Sequence, residues 1–194
     1  MSPRVLPASF YDRDVVQVAR GLLGMRLVRI LEGQRLAGII VETEAYRGED
    51  DLACHARAGK TARTAVMYGP PGRAFIYFTY GMHWLLNCVS QPEGYPAAVL
   101  VRALLPLEGL EVISARRAGR SKAQWCNGPG KVCQALGVTG ALNGIDLCDP
   151  LGELFIEAGQ PVPESAVWTS PRVGIERVPE PWLSMPWRFV ANSY

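Results

Sequence analysis

The stretch that most constrains how this chain can fold is residues 37–46, which read AGIIVETEAY. Its β-branched and aromatic side chains predict a strand, in which successive residues point to opposite faces of a sheet. Glu42, Glu44 and Tyr46 are therefore expected to share one face. The neighbouring isoleucines and valine favour a position near the core, where an unpaired carboxylate is costly. The two glutamates are therefore candidates for chemistry.

Length and composition predict a single domain, residues 1–194, with a substantial core, because 48% of the residues are hydrophobic and 20% are charged. Charged residues interrupt the first 25 positions, and no later stretch is apolar for long enough to span a bilayer. We therefore expect a cytoplasmic protein with neither a signal peptide nor a membrane segment.

Cysteine and histidine are too scattered to suggest a metal site. The cysteines are odd in number and lack the Cys-x-x-Cys spacing of zinc sites: Cys54, Cys88, Cys126, Cys133 and Cys148. Only two histidines, His55 and His83, accompany them. We expect reduced cysteines that pack in the core, with neither a disulfide framework nor a bound metal.

The formal net charge of +2 conceals a strongly basic middle segment. Residues 57–131 carry ten Lys and Arg against three Asp and Glu. Such a segment is either a solvated cationic face or a phosphate-binding surface for nucleic acid, and charge alone leaves both interpretations open.

Hydrophobic periodicity predicts a mixed α/β (α+β) fold with an antiparallel sheet and flanking helices. We expect a helix over residues 15–23, one hairpin from residues 25–31 and 34–46, and a second from 73–79 and 83–90. A strand at 96–104, helices beginning at 106 and 128, and strands at 153–157 and 172–176 complete the prediction. The second hairpin would protrude with Tyr80 and Met82 exposed at its tip, and exposed apolar tips need a reason.

The candidate residues have both structural and functional interpretations. Glu44 is either a structural carboxylate paired with Arg102 or, with that arginine and His55 nearby, a base that activates a water molecule. The tyrosines at 46, 77 and 80 are either core and surface aromatics or the walls of a pocket for a stacked nucleobase.

Five short motifs closely resemble those of the alkyladenine (3-methyladenine) DNA glycosylase family. They are ETEAY at 42–46, DLACH at 51–55, PGRAFIY at 71–77, YGM at 80–82 and VLVRA at 99–103. Further similarity at 106–110, 128–136 and 172–174 extends the resemblance over nearly the whole chain. One departure is Phe75, which stands where the family often has tyrosine and leaves the fine substrate range open.

The resemblance implies a domain that bends duplex DNA, inserts its hairpin into the minor groove and removes damaged purines without metal or cofactor. The implied substrates are 3-methyladenine, 7-methylguanine and hypoxanthine, and the implied product is an abasic site for base excision repair. Flipping the base out is needed because the glycosidic carbon is unreachable within the stack. The expected partner is double-stranded DNA containing damaged purines, bound by a monomer.

The resemblance also implies a role for each matching residue. Glu44 would be the general base and Arg102 would help to position the attacking water. Tyr46, His55 and Tyr77 would be the walls around the flipped purine, and Asn87 would screen out guanine. Tyr80 would fill the gap in the duplex, while Arg63, Met82 and Lys131 would contact DNA.

Two other functions use the same residues. A DNA-binding protein that recognises damage without turnover would share the pocket and hairpin but would tolerate loss of Glu44. A carbohydrate glycosidase would use Glu42 and Glu44, but neighbours at i and i+2 on a strand lie about 6.5–7 Å apart and point side by side rather than across a sugar.

Overall fold

An antiparallel sheet of eight strands organises the part of the chain, residues 4–192, that this computed structural model describes. The strands are β1 (Arg26–Leu31), β2 (Gln34–Arg47), β3 (Ala74–Thr79), β4 (His83–Val89), β5 (Ala97–Glu108), β6 (Leu154–Glu157), β7 (Val167–Ser170) and β8 (Arg188–Ala191). Four helices flank them: α1 (Ala8–Tyr11), α2 (Val15–Gly21), α3 (Leu110–Arg116) and α4 (Pro129–Leu136). The predicted α+β class is confirmed.

Strand β2 is the centre of the sheet because it pairs with three other strands. The main strand order is β3-β4-β5-β2-β1-β6, and β8 joins β2 to β7. One edge of β2 pairs with β5, while the other pairs first with β1 up to Ile39 and then with β8 from Glu42 to Glu44. The register shifts around Glu42 mark an irregularity at the point where the partner changes.

Several predicted elements are confirmed. Strands β1 and β2 form the first hairpin, β3 and β4 form the second, and α4 begins beside Gly128 as expected. The helix predicted at 15–23 is α2, and Asp14 caps it by accepting hydrogen bonds from the backbone amides of Val16 and Gln17 at 3.0 and 3.3 Å.

The helix predicted to begin at residue 106 starts four residues later. Strand β5 continues to Glu108 because Leu105, Pro106 and Glu108 pair with the opposing β2 residues. Gly109 then adopts a φ of 69°, a left-handed conformation that favours glycine, and α3 follows.

The strand predicted at 172–176 is wrong, because these residues form an irregular segment after β7. Buried side-chain and amide contacts fix it instead of a ladder: Arg172 binds Asp51, and the amide of Val173 binds Glu44. Gly174 has a φ of 79°, which interrupts any extended run.

The two largest of the three hydrophobic clusters among the described residues support the sheet. The larger one packs α2 and α4 against it and includes residues from Leu6 to Ala191. The smaller one attaches the segment between β2 and β3, with its short 3-10 helices His55–Ala58 and Ala65–Tyr68, to the sheet through Met67, Phe75 and Val89. Among the described residues, no helix has the length and apolar character needed to cross a membrane.

Candidate active site

A pocket of about 350 Å³ opens where β2, β3, β4 and β5 meet the segments around residues 53–55 and 173–175. Six of the residues singled out from sequence line it, namely Tyr46, His55, Tyr77, Tyr80, Asn87 and Arg102. We call it the aromatic pocket. Its volume falls within the range of sites for small organic groups, which is about 300–1,000 Å³.

Aromatic rings form the walls of this pocket. The ring centroids of His55 and Tyr77 lie 4.3 Å apart with the planes at 75°, and Phe75 lies 5.4 Å from Tyr77. The guanidinium of Arg63 lies 5.2 Å from the Tyr77 centroid on the exposed side. A flat ring entering the pocket would therefore meet aromatic surfaces and a cation at the rim.

Glu44 lies directly behind this wall, with no exposed side-chain area. Its Oε1 accepts a hydrogen bond from the Val173 amide at 2.7 Å, and its Oε2 accepts from the Tyr46 hydroxyl at 2.8 Å and from Arg102 Nη1 at 3.2 Å. Burial raises the pKa of the Glu44 carboxyl, and the charge of Arg102 and the hydrogen bonds from Val173 and Tyr46 only partly oppose that rise. A carboxylate with a raised pKa is a stronger base than an exposed one.

Glu42 has a different environment, although it shares the face of β2 with Glu44. Its Oε1 accepts from Arg102 Nε at 2.7 Å and from Arg188 Nε at 2.6 Å. Glu42 is thus hydrogen-bonded to both Arg102 and Arg188, whereas Glu44 is hydrogen-bonded to Arg102 alone of these two. The predicted pairing of Glu44 with Arg102 is present, and Glu44 itself lies behind the residues that line the pocket rather than among them.

His55 is the first residue of its 3-10 helix and keeps an exposed edge. Partial burial, together with the positive charges of Arg63 and Arg57, lowers the pKa of His55 to about 4. The imidazole is therefore neutral near pH 7, with one nitrogen free to donate a hydrogen bond and the other to accept one.

Asn87 combines a structural hydrogen bond with a place in the pocket. It faces Phe75 across the β3–β4 pair, and its Nδ2 donates to the Phe75 carbonyl at 3.1 Å. The residue is only 4% exposed, and that remaining surface belongs to the pocket lining.

The turn between β3 and β4 presents large apolar side chains to solvent. Tyr80 is 81% exposed and Met82 is 66% exposed. Tyr80 has a φ of 52°, followed by Gly81 at 67°, so the turn is a tight left-handed one. Tyr80 lines the rim of the aromatic pocket and also an adjoining cavity.

That adjoining cavity, of about 690 Å³, gathers part of the basic segment. Its cations are Arg116, Arg117, Arg120 and Lys131. We call it the basic cleft. Arg116 ends α3, and Arg117 and Arg120 follow it; the sequence did not predict that these arginines converge with Lys131. Arg63 lies elsewhere, beside Tyr77.

Sequence reasoning also missed the residues behind Glu44. The amide of Val173 and the buried pair of Asp51 and Arg172 were not among the predicted site residues, although both lie within motifs quoted for the resemblance. A backbone donor has no side-chain signature, so only those motifs could have pointed to it.

An aromatic pocket backed by a buried carboxylate and a guanidinium, beside a cleft of positive charge, defines a hydrolase that acts on a flat ring carried by a polyanion. Comparison with known proteins makes this specific. The family model described as methylpurine-DNA glycosylase (MPG) matches residues 9–194, and the chain belongs to this family.

Similar proteins named "Putative 3-methyladenine DNA glycosylase" come from several organisms. The one from Methanocella arvoryzae is 50% identical over 186 residues, covering 95% of this chain and 91% of that protein. The one from Myxococcus xanthus is 49% identical over 183 residues (94% and 88%), and the one from Carboxydothermus hydrogenoformans is 46% identical over 190 residues (97% and 96%). The resemblance in the sequence is confirmed: the chain is a DNA glycosylase, a hydrolase of N-glycosyl bonds that serves DNA repair. This outcome disfavours both the carbohydrate glycosidase and the binding protein without turnover.

Proposed function

We propose that this chain removes damaged purines, namely 3-methyladenine, 7-methylguanine and hypoxanthine, from duplex DNA and leaves an abasic site. The observation that carries the proposal is the fully buried Glu44 immediately behind the lining of an aromatic pocket, held by two residues that do line it, Tyr46 and Arg102. The pocket supplies stacking surfaces for a purine, and the carboxylate supplies a base next to them.

The target nucleotide must leave the helix because its C1′ atom is shielded within the base stack. In this proposal Tyr46, His55 and Tyr77 surround the flipped purine, and Tyr80 fills the space that the purine leaves. Arg63, Met82 and Lys131 contact the DNA around the lesion. The exposure of Tyr80 and Met82 and the place of Tyr80 in the pocket lining support this arrangement.

In the proposed reaction, Glu44 accepts a proton from a water molecule as the water oxygen bonds to C1′. The bond from C1′ to the purine nitrogen breaks, and its electron pair leaves with the base. Positive charge develops on the sugar in between, and a nearby carboxylate stabilises it. In this proposal Arg102 orients Glu44 and holds the water, and its hydrogen bond to Glu44 at 3.2 Å supports that role. An alkylated purine starts with a positive charge, so it departs as a neutral molecule.

We also propose that residues 1–194 act as one domain and as a monomer. A single hydrophobic cluster joins residues from Leu6 to Ala191, which supports the first point. Sedimentation equilibrium with and without duplex DNA tests the second, and a stable dimer would contradict it.

The decisive experiment uses a duplex containing one hypoxanthine, in which excision produces an alkali-labile abasic site. Glu44→Gln keeps the shape of the side chain but removes the base, so single-turnover excision should fall roughly 10²–10⁴-fold. Gel-shift affinity for the lesion duplex should stay within about threefold, because a base that acts only in the transition state contributes little to ground-state binding.

Glu42→Gln is the matched control, since it removes the neighbouring carboxylate of the same strand. It should reduce excision less than Glu44→Gln does. The reduction would arise because Arg102 loses its ion pair with Glu42 and is held less firmly. Excision by Glu44→Gln at a rate near that of the wild type would refute the proposed role of Glu44.

A further inference from the structure

A fully buried ion pair lies behind the aromatic pocket without lining it. The side chains of Asp51 and Arg172 have no exposed area. Arg172 Nη1 and Nη2 donate to the two carboxylate oxygens of Asp51 at 2.5 and 2.9 Å, a bidentate arrangement. Neither residue belongs to the pocket lining, so contact with a bound purine does not explain why two charges are buried here.

This pair joins three segments that build the site. Arg172 Nη1 also donates to the Ala45 carbonyl at 2.9 Å, next to Glu44 on β2. Asp51 accepts from the amide of Ala53 at 3.0 Å, and Ala53 lines the pocket two residues before His55. Arg172 precedes Val173, whose amide binds Glu44.

The guanidinium of Arg172 also contacts two aromatic rings. Its central carbon lies 4.7 Å from the Tyr46 ring centroid and 5.0 Å from that of Trp187. Tyr46 is in turn the hydroxyl donor to Glu44. Arg172 therefore supports two of the three hydrogen-bond donors to the Glu44 carboxylate. It is the chain neighbour of Val173, whose amide donates, and its guanidinium contacts the ring of Tyr46, whose hydroxyl donates.

We propose that Asp51 and Arg172 are positioning residues, which keep the Val173 amide and the Tyr46 hydroxyl on the Glu44 carboxylate and so orient that carboxylate for the reaction. The inference deepens the proposed function, because it rests on Glu44 acting as the base. If the Asp51–Arg172 pair only stabilised the fold, its loss would not change the titration of Glu44.

The proposal predicts how Glu44 should titrate. Burial raises the pKa of the Glu44 carboxyl, and the charge of Glu42 raises it further. The charge of Arg102, followed by the hydrogen bonds from Val173 and Tyr46, lowers it. Loosening these donors while burial persists should therefore raise the pKa further. Since the base works only when ionised, the acidic limb of the excision rate against pH should move to higher pH.

The main variant is Arg172→Lys, which keeps the positive charge near Asp51 but loses the planar fork that binds three acceptors at once. We expect single-turnover excision of hypoxanthine to fall about tenfold or more, with half-saturating duplex concentration changed less than about threefold. The acidic limb should move upward by about half a pH unit or more, which corresponds to a threefold change in the carboxylate's proton binding. Asp51→Asn should likewise lower the excision rate, because Arg172 loses its bidentate partner.

Glu157→Gln is the matched control for loss of a buried pair. Glu157 binds Arg35 at 2.7 Å on the β1 and β6 side of the sheet, and its side chain is 5% exposed. Because neither Arg35 nor Glu157 lines the pocket or binds Glu44, loss of this pair should lower the melting temperature and leave the position of the acidic limb unchanged.

A direct measurement separates this proposal from the proposed function. The ¹³C shift of the Glu44 carboxyl carbon, followed against pH by NMR in the wild type and in Arg172→Lys, reports the midpoint without any reaction. A higher titration midpoint of Glu44 in Arg172→Lys, together with a displaced acidic limb, supports both proposals. A higher midpoint with an unchanged dependence of the excision rate on pH supports the positioning role but refutes Glu44 as the base. An unchanged midpoint in folded Arg172→Lys overturns the positioning role.

A second variant decides the matter if Arg172→Lys fails to fold. Val173 is 48% exposed, so Val173→Pro deletes the amide donor with little loss of packing. The Glu44 midpoint should rise in Val173→Pro and stay unchanged in Val173→Ala, which keeps the N–H. An equal midpoint in both variants would overturn the inference.

Discussion

Glu42 and Glu44 lie two residues apart on the same face of one strand, yet their surroundings give them different chemistry. Glu42 is 15% exposed in its side chain and receives two arginines. Glu44 has no exposed area and shares only one of them, so burial dominates and raises its pKa. A carboxyl whose pKa is raised by burial is typical of a residue that enzymes use as a base.

The neutral state of His55 is the next prediction at this scale. In an NMR titration its ring should show a midpoint near pH 4, because burial and the charges of Arg63 and Arg57 oppose protonation. Arg63→Ala should raise the midpoint more than Arg57→Ala, since Arg63 is the larger of the two electrostatic causes. A wild-type midpoint near 6.5 would contradict this picture.

The same shift has a consequence for stability. The folded pKa of His55, about 4, lies below the unfolded value of 6.5, so the unfolded chain binds the proton more readily between these values. The contribution of His55 to the free energy of unfolding is therefore complete above about pH 6.5 and decreases as the pH falls towards about 4.

Asn87 gives a prediction about specificity. Its Nδ2 already donates to the Phe75 carbonyl, so the side chain is held in place beneath the pocket. The exocyclic 2-amino group separates guanine from hypoxanthine, and a fixed amide at the pocket floor would clash with it. Asn87→Ala should raise excision of guanine relative to hypoxanthine by about tenfold or more.

Single-turnover rates for both bases in the same mismatched duplex context provide the measurement. Losing the hydrogen bond to Phe75 should cost about 0.5–1.5 kcal/mol of stability, so thermal unfolding must be recorded in parallel. An unchanged ratio of the two rates in a folded, active variant would leave Asn87 with a structural role alone.

At the scale of elements, the β3–β4 hairpin presents several large apolar side chains to solvent. Tyr80 at its turn is 81% exposed, so its removal should not disturb the core. Tyr80→Ala should weaken base flipping by about 1–3 kcal/mol, the contribution of one stacked aromatic ring. Fluorescence of 2-aminopurine placed beside the lesion measures the flipped fraction.

Phe78 offers a control on the same hairpin, because it is 45% exposed but packs on Trp84 with ring centroids 4.7 Å apart. Phe78→Ala should lower stability more than Tyr80→Ala and affect flipping less. A large drop in the melting temperature of Tyr80→Ala, or an unchanged flipped fraction, would exclude Tyr80 as the wedge.

The elements also show what a sequence can predict. Strand β2 and the two hairpins follow from alternation of side chains and from glycine turns, which are local signals. The segment after β7 looked like a strand because it holds valine and isoleucine, but Arg172 there binds Asp51, which lies 121 residues earlier in the chain. No local pattern contains that partner, so the error has a non-local cause.

The candidate site was predictable to a different degree. Tyr46, His55, Tyr77 and Arg102 were named from motifs, and the sheet brings them to one pocket. The support behind them was not predictable, because the Val173 amide and the convergence of Arg116, Arg117 and Arg120 on Lys131 depend on tertiary packing.

At the scale of the whole molecule, six cations of the basic segment lie in three different surroundings. Arg102 is engaged by Glu42 and Glu44, and Arg63 stands beside Tyr77. Four cations line the basic cleft, next to the rim that contains Tyr80. Arg102 is therefore not available to the phosphates of a bound duplex. The four cations of the basic cleft are gathered on one side of the aromatic pocket.

Salt dependence measures how many of these cations bind phosphates. Affinity for an undamaged duplex should fall linearly with salt on logarithmic axes, with a slope of about −0.9 for each phosphate neutralised. Lys131→Ala removes one cation of the cleft, and Arg63→Ala removes the one beside Tyr77, so each should flatten the slope by about 0.9. Arg13→Ala is the control, because Arg13 is exposed and lies outside both the aromatic pocket and the basic cleft. Fluorescence anisotropy at a series of salt concentrations would give the slope for the wild type and for each of the three variants. If Arg13→Ala flattened the slope as much as Lys131→Ala, binding would depend on overall charge, and the basic cleft would be only a solvated surface.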